Sequence, residues 1–195
     1  DVNENNPDYT QYICGDDGVL DYWISLGAAG YRLDVADELP DEFLDRLNKC
    51  VKKHGKEKIV IGEVWEDASN KVSYSEQREY LCGYDIDSAM NYAQRAIMLD
   101  FMTGVKDARR MNAELTRLIE NYPPENFYAM LNLIGSHDVE RAVTVLGEEP
   151  FYDGMPAIEQ SRAHLSDDQY NLGMARLFMA ALWQMTYPGV PCIYY

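Results

Sequence analysis

The chain has 195 residues, 47% of them hydrophobic and 12% aromatic, and its 33 acidic against 17 basic side chains leave a formal net charge of −16. That composition suits a packed core at a length where one domain is the default, and it excludes the low-hydrophobicity regime of disordered chains. The charge argues against nucleic acid and anionic membrane surfaces as partners, because a polyanion is repelled at long range. The most apolar stretch, Leu172 to Met185, is interrupted by Arg176 and Gln184 and is too short to span ~30 Å of hydrocarbon. Residues Asp1 to Asn6 lack the basic and apolar regions of a signal peptide, so none is expected. Cys14, Cys50, Cys82 and Cys192 stand without C-x-x-C spacing. Free core thiols are the expectation, rather than disulfides or a zinc site, and with them a reducing, cytoplasmic location.

Along the chain, apolar runs alternate with amphipathic stretches, the pattern of stacked βα units. Tyr12, Ile13, Val19, Leu20, Trp23 and Ile24 predict a helix from Tyr9 to Leu26, closed by Gly27. Gly30 to Val35 reads as a strand. Pro40 opens the next helix with two acids in its first turn, and Lys52, Lys53 and His54 close it before Gly55. Lys58 to Val64 is a β-branched run without polar alternation, as in a buried parallel strand. An irregular connection from Asp67 to Gly83 precedes helical material over Ser88 to Met102 and a helix from Asn112 to Asn121, stopped by Pro123 and Pro124. Phe127 to Ile134 is the next predicted strand, ending in Gly135-Ser-His-Asp138. Ser166 and Gln169 match a capping box for a helix running to about Met185, and a turn at Pro188 leads into a last strand up to Tyr195.

Three acids follow three of these strands: Asp34, Glu63 and Asp138. In a parallel α/β barrel all carboxyl ends of the strands open on one face, so acids distant in sequence converge there. Glu63 follows Asp34 at about the length of one βαβ unit. Paired carboxylates are what glycoside hydrolysis uses, one attacking the anomeric carbon and the other donating a proton to the departing oxygen. Arg32, two residues before Asp34, shares its strand face and would keep it ionised. Apolar enclosure near Trp65 would suit Glu63 to the acid role. Taken singly, each acid reads more readily as a helix N-cap or turn residue, Arg32 as a structural ion-pair partner and Trp65 as a core or surface aromatic, and His137 reads also as a turn histidine. No histidine pair stands at metal-ligand spacing.

Taken together, these motifs resemble the α-amylase family, glycoside hydrolase family 13, and within it the neopullulanase, cyclomaltodextrinase and maltogenic amylase group. Gly30-Tyr-Arg-Leu-Asp-Val-Ala-Asp-Glu38 resembles the segment carrying the nucleophile, and Ile61-Gly-Glu-Val-Trp65 the acid/base segment. Asn132-Leu-Ile-Gly-Ser-His-Asp138 resembles the segment that grips sugar hydroxyls. The resemblance implies a nucleophile at Asp34, an acid/base at Glu63 and transition-state stabilisation by Asp138. It implies substrate contacts from Arg32 and His137, and subsite contacts from Trp65 and Glu38. The implied fold is α/β, a partial (β/α)8 TIM barrel holding roughly the fourth to eighth strands. Asp1 to Asn3 resembles the end of an inserted domain and Gly189 to Tyr195 the eighth strand, so residues 1–195 are expected to be a single partial catalytic domain lacking the earlier strands and a C-terminal β-domain. The implied activity is retaining hydrolysis of an α-glucan or maltooligosaccharide at α-1,4 and α-1,6 links, with transglycosylation. No metal and no cofactor is read from the residues, and a structural calcium in the parent stays open.

Two other readings remain. An excised partial barrel could act as a carbohydrate-binding or self-associating module, forming homo-oligomers through open edges near Tyr31 and Ile193. Asp34, Glu63, His137 and Asp138 could instead serve a metal-dependent hydrolase.

Overall fold

The computed structural model describes residues 3–147 and 156–194. The expectation for Asp1 to Asn3 therefore falls largely outside the described residues, as does the last residue of the final strand. The chain opens with α1 (Pro7–Cys14), whose first turn is closed by Asn6 accepting from the Asp8 and Tyr9 amides with proline at the first helical position. A second helix, α2 (Val19–Ser25), follows. The single helix expected over Tyr9 to Leu26 is thus two. Gly15 leaves helical geometry at ψ 166°, Asp17 turns left-handed at φ 63°, and a Cβ at Gly18 would lie 2.7 Å from the Gly15 carbonyl.

Strand β1 (Gly30–Leu33) leads through a 3-10 turn at Ala36–Glu38 into α3 (Asp41–Lys52). Helix α3 buries Phe43, Leu44, Leu47 and Val51 on one stripe and ends before Gly55 at φ 147°. Strand β2 (Ile59–Gly62) runs parallel to β1, with Gly30 opposite Ile59 and Leu33 opposite Gly62. Within the connection expected to be irregular, β3 (Val72–Ser73) and β4 (Glu76–Gln77) form a hairpin. Its two central residues, Tyr74 and Ser75, both have positive φ, the geometry that matches strand twist.

Strand β5 (Ser88–Ala89) pairs parallel with β2, so helical structure starts later than Ser88, in α4 (Tyr92–Met102). Helix α5 (Ala108–Asn121) begins before the expected Asn112. Phe127 and Tyr128, expected in a strand, belong to α6 (Pro124–Tyr128), because Pro124 and Glu125 start a helical turn that puts Phe127 inside. The strand β6 (Leu131–Leu133) is correspondingly shorter. Helices α7 (Ala142–Leu146) and α8 (Ala157–Gln160) precede α9 (Asp167–Thr186), which carries the expected Ser166–Gln169 capping box. Strand β7 (Val190–Cys192) neighbours β6.

The chain divides into two compact units, one made of the residues up to Ala93 with Arg117–Leu131, the other of Gln94–Thr116 with the residues from Asn132 on. The first holds the β1-β2-β5 sheet, extended by a parallel bridge between Met90 and Leu131. Its order is α/β: α3 packs on β2, whose buried residues include Val60 and Ile61. The second has its own core, in which Met98, Leu99, Ile134, Leu146 and Ala180 cluster. Among the described residues no helix is long and apolar enough to cross a membrane. All four cysteines are free, but only Cys50 is buried and Cys82 is exposed, so the expectation of core thiols holds for one of them.

Candidate active site

The first unit brings Arg32, Asp34, Glu63 and Trp65 together. Parallel register sets Leu33 opposite Gly62, so the next residues, Asp34 and Glu63, leave the carboxyl ends of adjacent strands. Gly30 permits the close approach of the two strands, since a Cβ there would lie 1.9 Å from the Ile59 carbonyl oxygen. Alternation along β1 then puts Arg32 and Asp34 on one face. The Arg32 guanidinium bridges both acids: Nη1 pairs with Asp34 Oδ1, and Nη2 lies 3.0 Å from Glu63 Oε1. Its Nε donates to Met90 Sδ at 3.4 Å. The two acids differ in environment, the Asp34 side chain being 73% exposed and that of Glu63 4%.

Glu63 is enclosed, as expected, but the enclosure is polar rather than apolar. Trp65 Nε1 donates to Oε1 at 3.2 Å, and the Val35 backbone N–H donates to Oε2 at 2.9 Å. With Arg32, both carboxylate oxygens are therefore occupied by donors. Val35 reaches this position in the left-handed region, at φ 43° and ψ 60°. For a β-branched residue that conformation is an outlier, with a cost on the order of 1–3 kcal/mol. The Ala36 amide adds a backbone bond to the Glu63 carbonyl at 3.1 Å. Ala36 also packs so closely on β2 that a Cβ at Gly62 would lie 3.1 Å from its own Cβ and 2.8 Å from Ile86 Cδ1.

Trp65 stacks on Tyr92 with ring centroids 4.9 Å apart and planes 13° apart, and it remains 48% exposed. Glu38 accepts a hydrogen bond from the Tyr74 hydroxyl, on the hairpin absent from the sequence expectations. His137 and Asp138 belong to the second unit, just beyond β6. His137 Nε2 lies 3.2 Å from Asp138 Oδ2, and the Asp138 amide donates to Ser136 Oγ at 3.1 Å. Sequence reasoning missed the Val35 amide, Met90 and Tyr92. A backbone donor leaves no side-chain signature, and neither a methionine nor a tyrosine residue by itself announces a contact with a distant arginine or tryptophan. Among the described residues no group of three or more histidine, cysteine, aspartate or glutamate side chains is arranged to hold a metal ion.

Parallel strands feeding acids from their carboxyl ends are the plan of an α/β catalytic domain. The family described as "Alpha amylase, catalytic domain" matches residues 1–195, and the chain belongs to that family. Neopullulanase 2 of Thermoactinomyces vulgaris is 33% identical over 195 residues, covering 100% of this chain and 27% of its own length. The cyclomaltodextrinase of Thermoanaerobacter pseudethanolicus is 33% identical over 192 residues, covering 97% of this chain and 27% of its own. Among solved structures, the cyclic α-maltosyl-(1→6)-maltose hydrolase from Arthrobacter globiformis in complex with maltose is similar at a TM-score of 0.77 and 26% identity, over 99% of this chain and 36% of that one. The chain thus spans 27% of the length of these curated relatives.

Proposed function

We propose that the protein containing this chain is a retaining α-glucan hydrolase acting on α-1,4 and α-1,6 links, with transglycosylation when a sugar replaces water as acceptor. The observation that carries the reading is the single Arg32 guanidinium bridging Asp34 and Glu63. Such a bridge favours the ~5–5.5 Å separation of a retaining pair over the ~6.5–9.5 Å of an inverting pair, which must leave room for a water. Kinship to a neopullulanase and a cyclomaltodextrinase supports the substrate class.

In the first step an Asp34 carboxylate oxygen forms a bond to the anomeric carbon as the glycosidic C–O bond breaks. The proton of Glu63 goes to the departing oxygen. In the second step water attacks the same carbon, its proton returns to Glu63, and the Asp34 ester bond breaks. The exposure of Asp34 suits a group that must meet substrate, and the caged Glu63 suits one that must hold a fixed position for both transfers. Asp138 and His137 serve the sugar hydroxyls, while the exposed face of Trp65 and the Glu38 carboxylate line subsites. In this reading β1, β2, β5, β6 and β7 are consecutive strands of the barrel's second half, from the fourth to the eighth.

Trapping tests the nucleophile. In a Glu63→Gln variant of the protein containing this chain, an α-maltosyl fluoride, which needs no acid to depart, accumulates a maltosyl ester on the peptide holding Asp34. Mass spectrometry of the digested protein reads it, and label on another residue would overturn the assignment.

A further inference from the structure

Val35 is held in a strained conformation in part by local bonds, its carbonyl accepting from the Glu38 amide at 3.0 Å while the Ala36 amide donates to the Glu63 carbonyl at 3.1 Å. A second set of contacts reaches the same turn from the connection that carries the hairpin. Arg78 is buried, and all three of its guanidinium nitrogens are engaged with the stretch that follows Val35. Nε and Nη2 reach Asp41 Oδ1 at 2.6 and 2.5 Å, Nη1 donates to the Asp37 carbonyl at 3.0 Å, and Nη2 to the Leu39 carbonyl at 2.6 Å. The planar fork thus fixes two carbonyls and one carboxylate of a short segment from three separate nitrogens, where a lysine would have to reach all three acceptors from a single one. Two further groups from the same connection hold the Asp37 side chain: the Tyr80 hydroxyl at 2.7 Å and Lys71 Nζ at 2.9 Å. Tyr80 also stacks under the Arg78 guanidinium at 4.6 Å.

We propose that Arg78 is a positioning residue for Glu63: by clamping residues 37–41 it enforces the left-handed turn at Val35 and so holds the Val35 N–H on Glu63 Oε2. The proposal rests on the reading of Glu63 as acid/base for its catalytic meaning, while the clamp itself is a matter of geometry. The Asp67 to Gly83 connection is then a strap whose inner residues act on the carboxylate through the backbone of the neighbouring βα turn. Without the strap, Val35 relaxes toward ordinary φ and its amide leaves Glu63. A glycine at position 35 would need no enforcement, because it adopts positive φ freely.

The test is amide hydrogen exchange followed by NMR on the 195-residue chain. In Arg78→Lys, exchange at the Val35 amide accelerates by about tenfold or more, while amides of β2 such as Ile61 are unchanged. In the Val35→Gly, Arg78→Lys double variant, the amide of residue 35 regains the protection it has in Val35→Gly alone. Acceleration shared equally by β2 would mean that Arg78 serves only global stability, and an unchanged Val35 amide would mean that the clamp does not reach Glu63; either overturns the proposal. Asp41→Asn, which keeps the carbonyl bonds and removes the charge partner, carries the same comparison if Arg78→Lys does not fold. Exchange at Val35 reads the contact whether or not Glu63 does chemistry, so failure of the glucan reading and failure of the clamp are separate results. In the protein containing this chain, the clamp predicts a lower kcat for maltotriose at unchanged KM in Arg78→Lys.

Discussion

Asp34 and Glu63 share one cation and differ in exposure, and in the proposed reading that difference suits them to different work. An arginine holds two carboxylates from separate nitrogens of a planar fork, whereas a lysine holds two through one nitrogen, as Lys71 does with Asp37 and Glu66. Arg32→Lys is therefore expected to keep the fold and lower kcat by about 10²-fold, comparable to losing one preorganised donor; steady-state kinetics against maltotriose check it. A second residue makes a prediction about pH. Asp85 is buried and its Oδ2 accepts no hydrogen bond. Burial pushes its carboxyl from the ordinary 3.8 up to about 7, with Asp41 nearby adding to the rise and Arg78 opposing it. A folded value above the unfolded one means the contribution to stability is complete below about pH 4 and is lost as pH rises through about 7. Asp85→Asn removes that loss. Urea denaturation should find the variant more stable than the native protein at pH 8, by about 1–3 kcal/mol, with the advantage shrinking as pH falls through 7 toward 4.

At the scale of elements, what the sequence makes plain is what local chemistry decides. Helix α9 is legible because Ser166 and Gln169 satisfy each other's backbone amides, and Ser166→Ala is expected to cost about 1 kcal/mol in thermal or urea unfolding. Helix α3 is legible from its apolar stripe and its terminal glycine. Strands β1 and β2 are legible as apolar runs, and with them the position of Asp34 and Glu63. The break between α1 and α2 lies at Gly15-Asp-Asp-Gly18, a breaker cluster that the apolar positions on either side outweigh in a reading by periodicity; the chain leaves the helix at the extended Gly15 and the left-handed Asp17. The β3–β4 hairpin was hidden because Tyr74 and Ser75 are not the Asn-Gly or Asp-Gly pair that announces such a turn. That omission concealed the strap carrying Lys71, Arg78 and Tyr80, whose role depends on contacts about forty residues back in the chain. Phe127 and Tyr128 read as the start of a strand because of their high β propensity, which the helical turn begun at Pro124 overrides.

At the scale of the whole molecule, the sequence pattern of alternating strands and helices gave the α/β class, and three ordered motifs gave the family. Composition alone did neither. The excess of acids disfavours a polyanionic partner and exerts no long-range pull on a neutral sugar such as the proposed substrate. The second unit exposes Phe178, Met179 and Leu182 on α9 and Ile193 beyond β7, an apolar run of the kind that drives association. Sedimentation velocity of the 195-residue chain is expected to find concentration-dependent dimers or larger species, reduced by Leu182→Lys; a single monomer at all concentrations would contradict this. The central claim is the retaining pair at Asp34 and Glu63, and proton NMR of maltotriose turnover by the protein containing this chain tests it most directly. The α-anomer of the product should appear first and mutarotate afterwards, and Asp34→Ala should abolish its formation. Early β-anomer, or undiminished turnover by Asp34→Ala, would contradict the account.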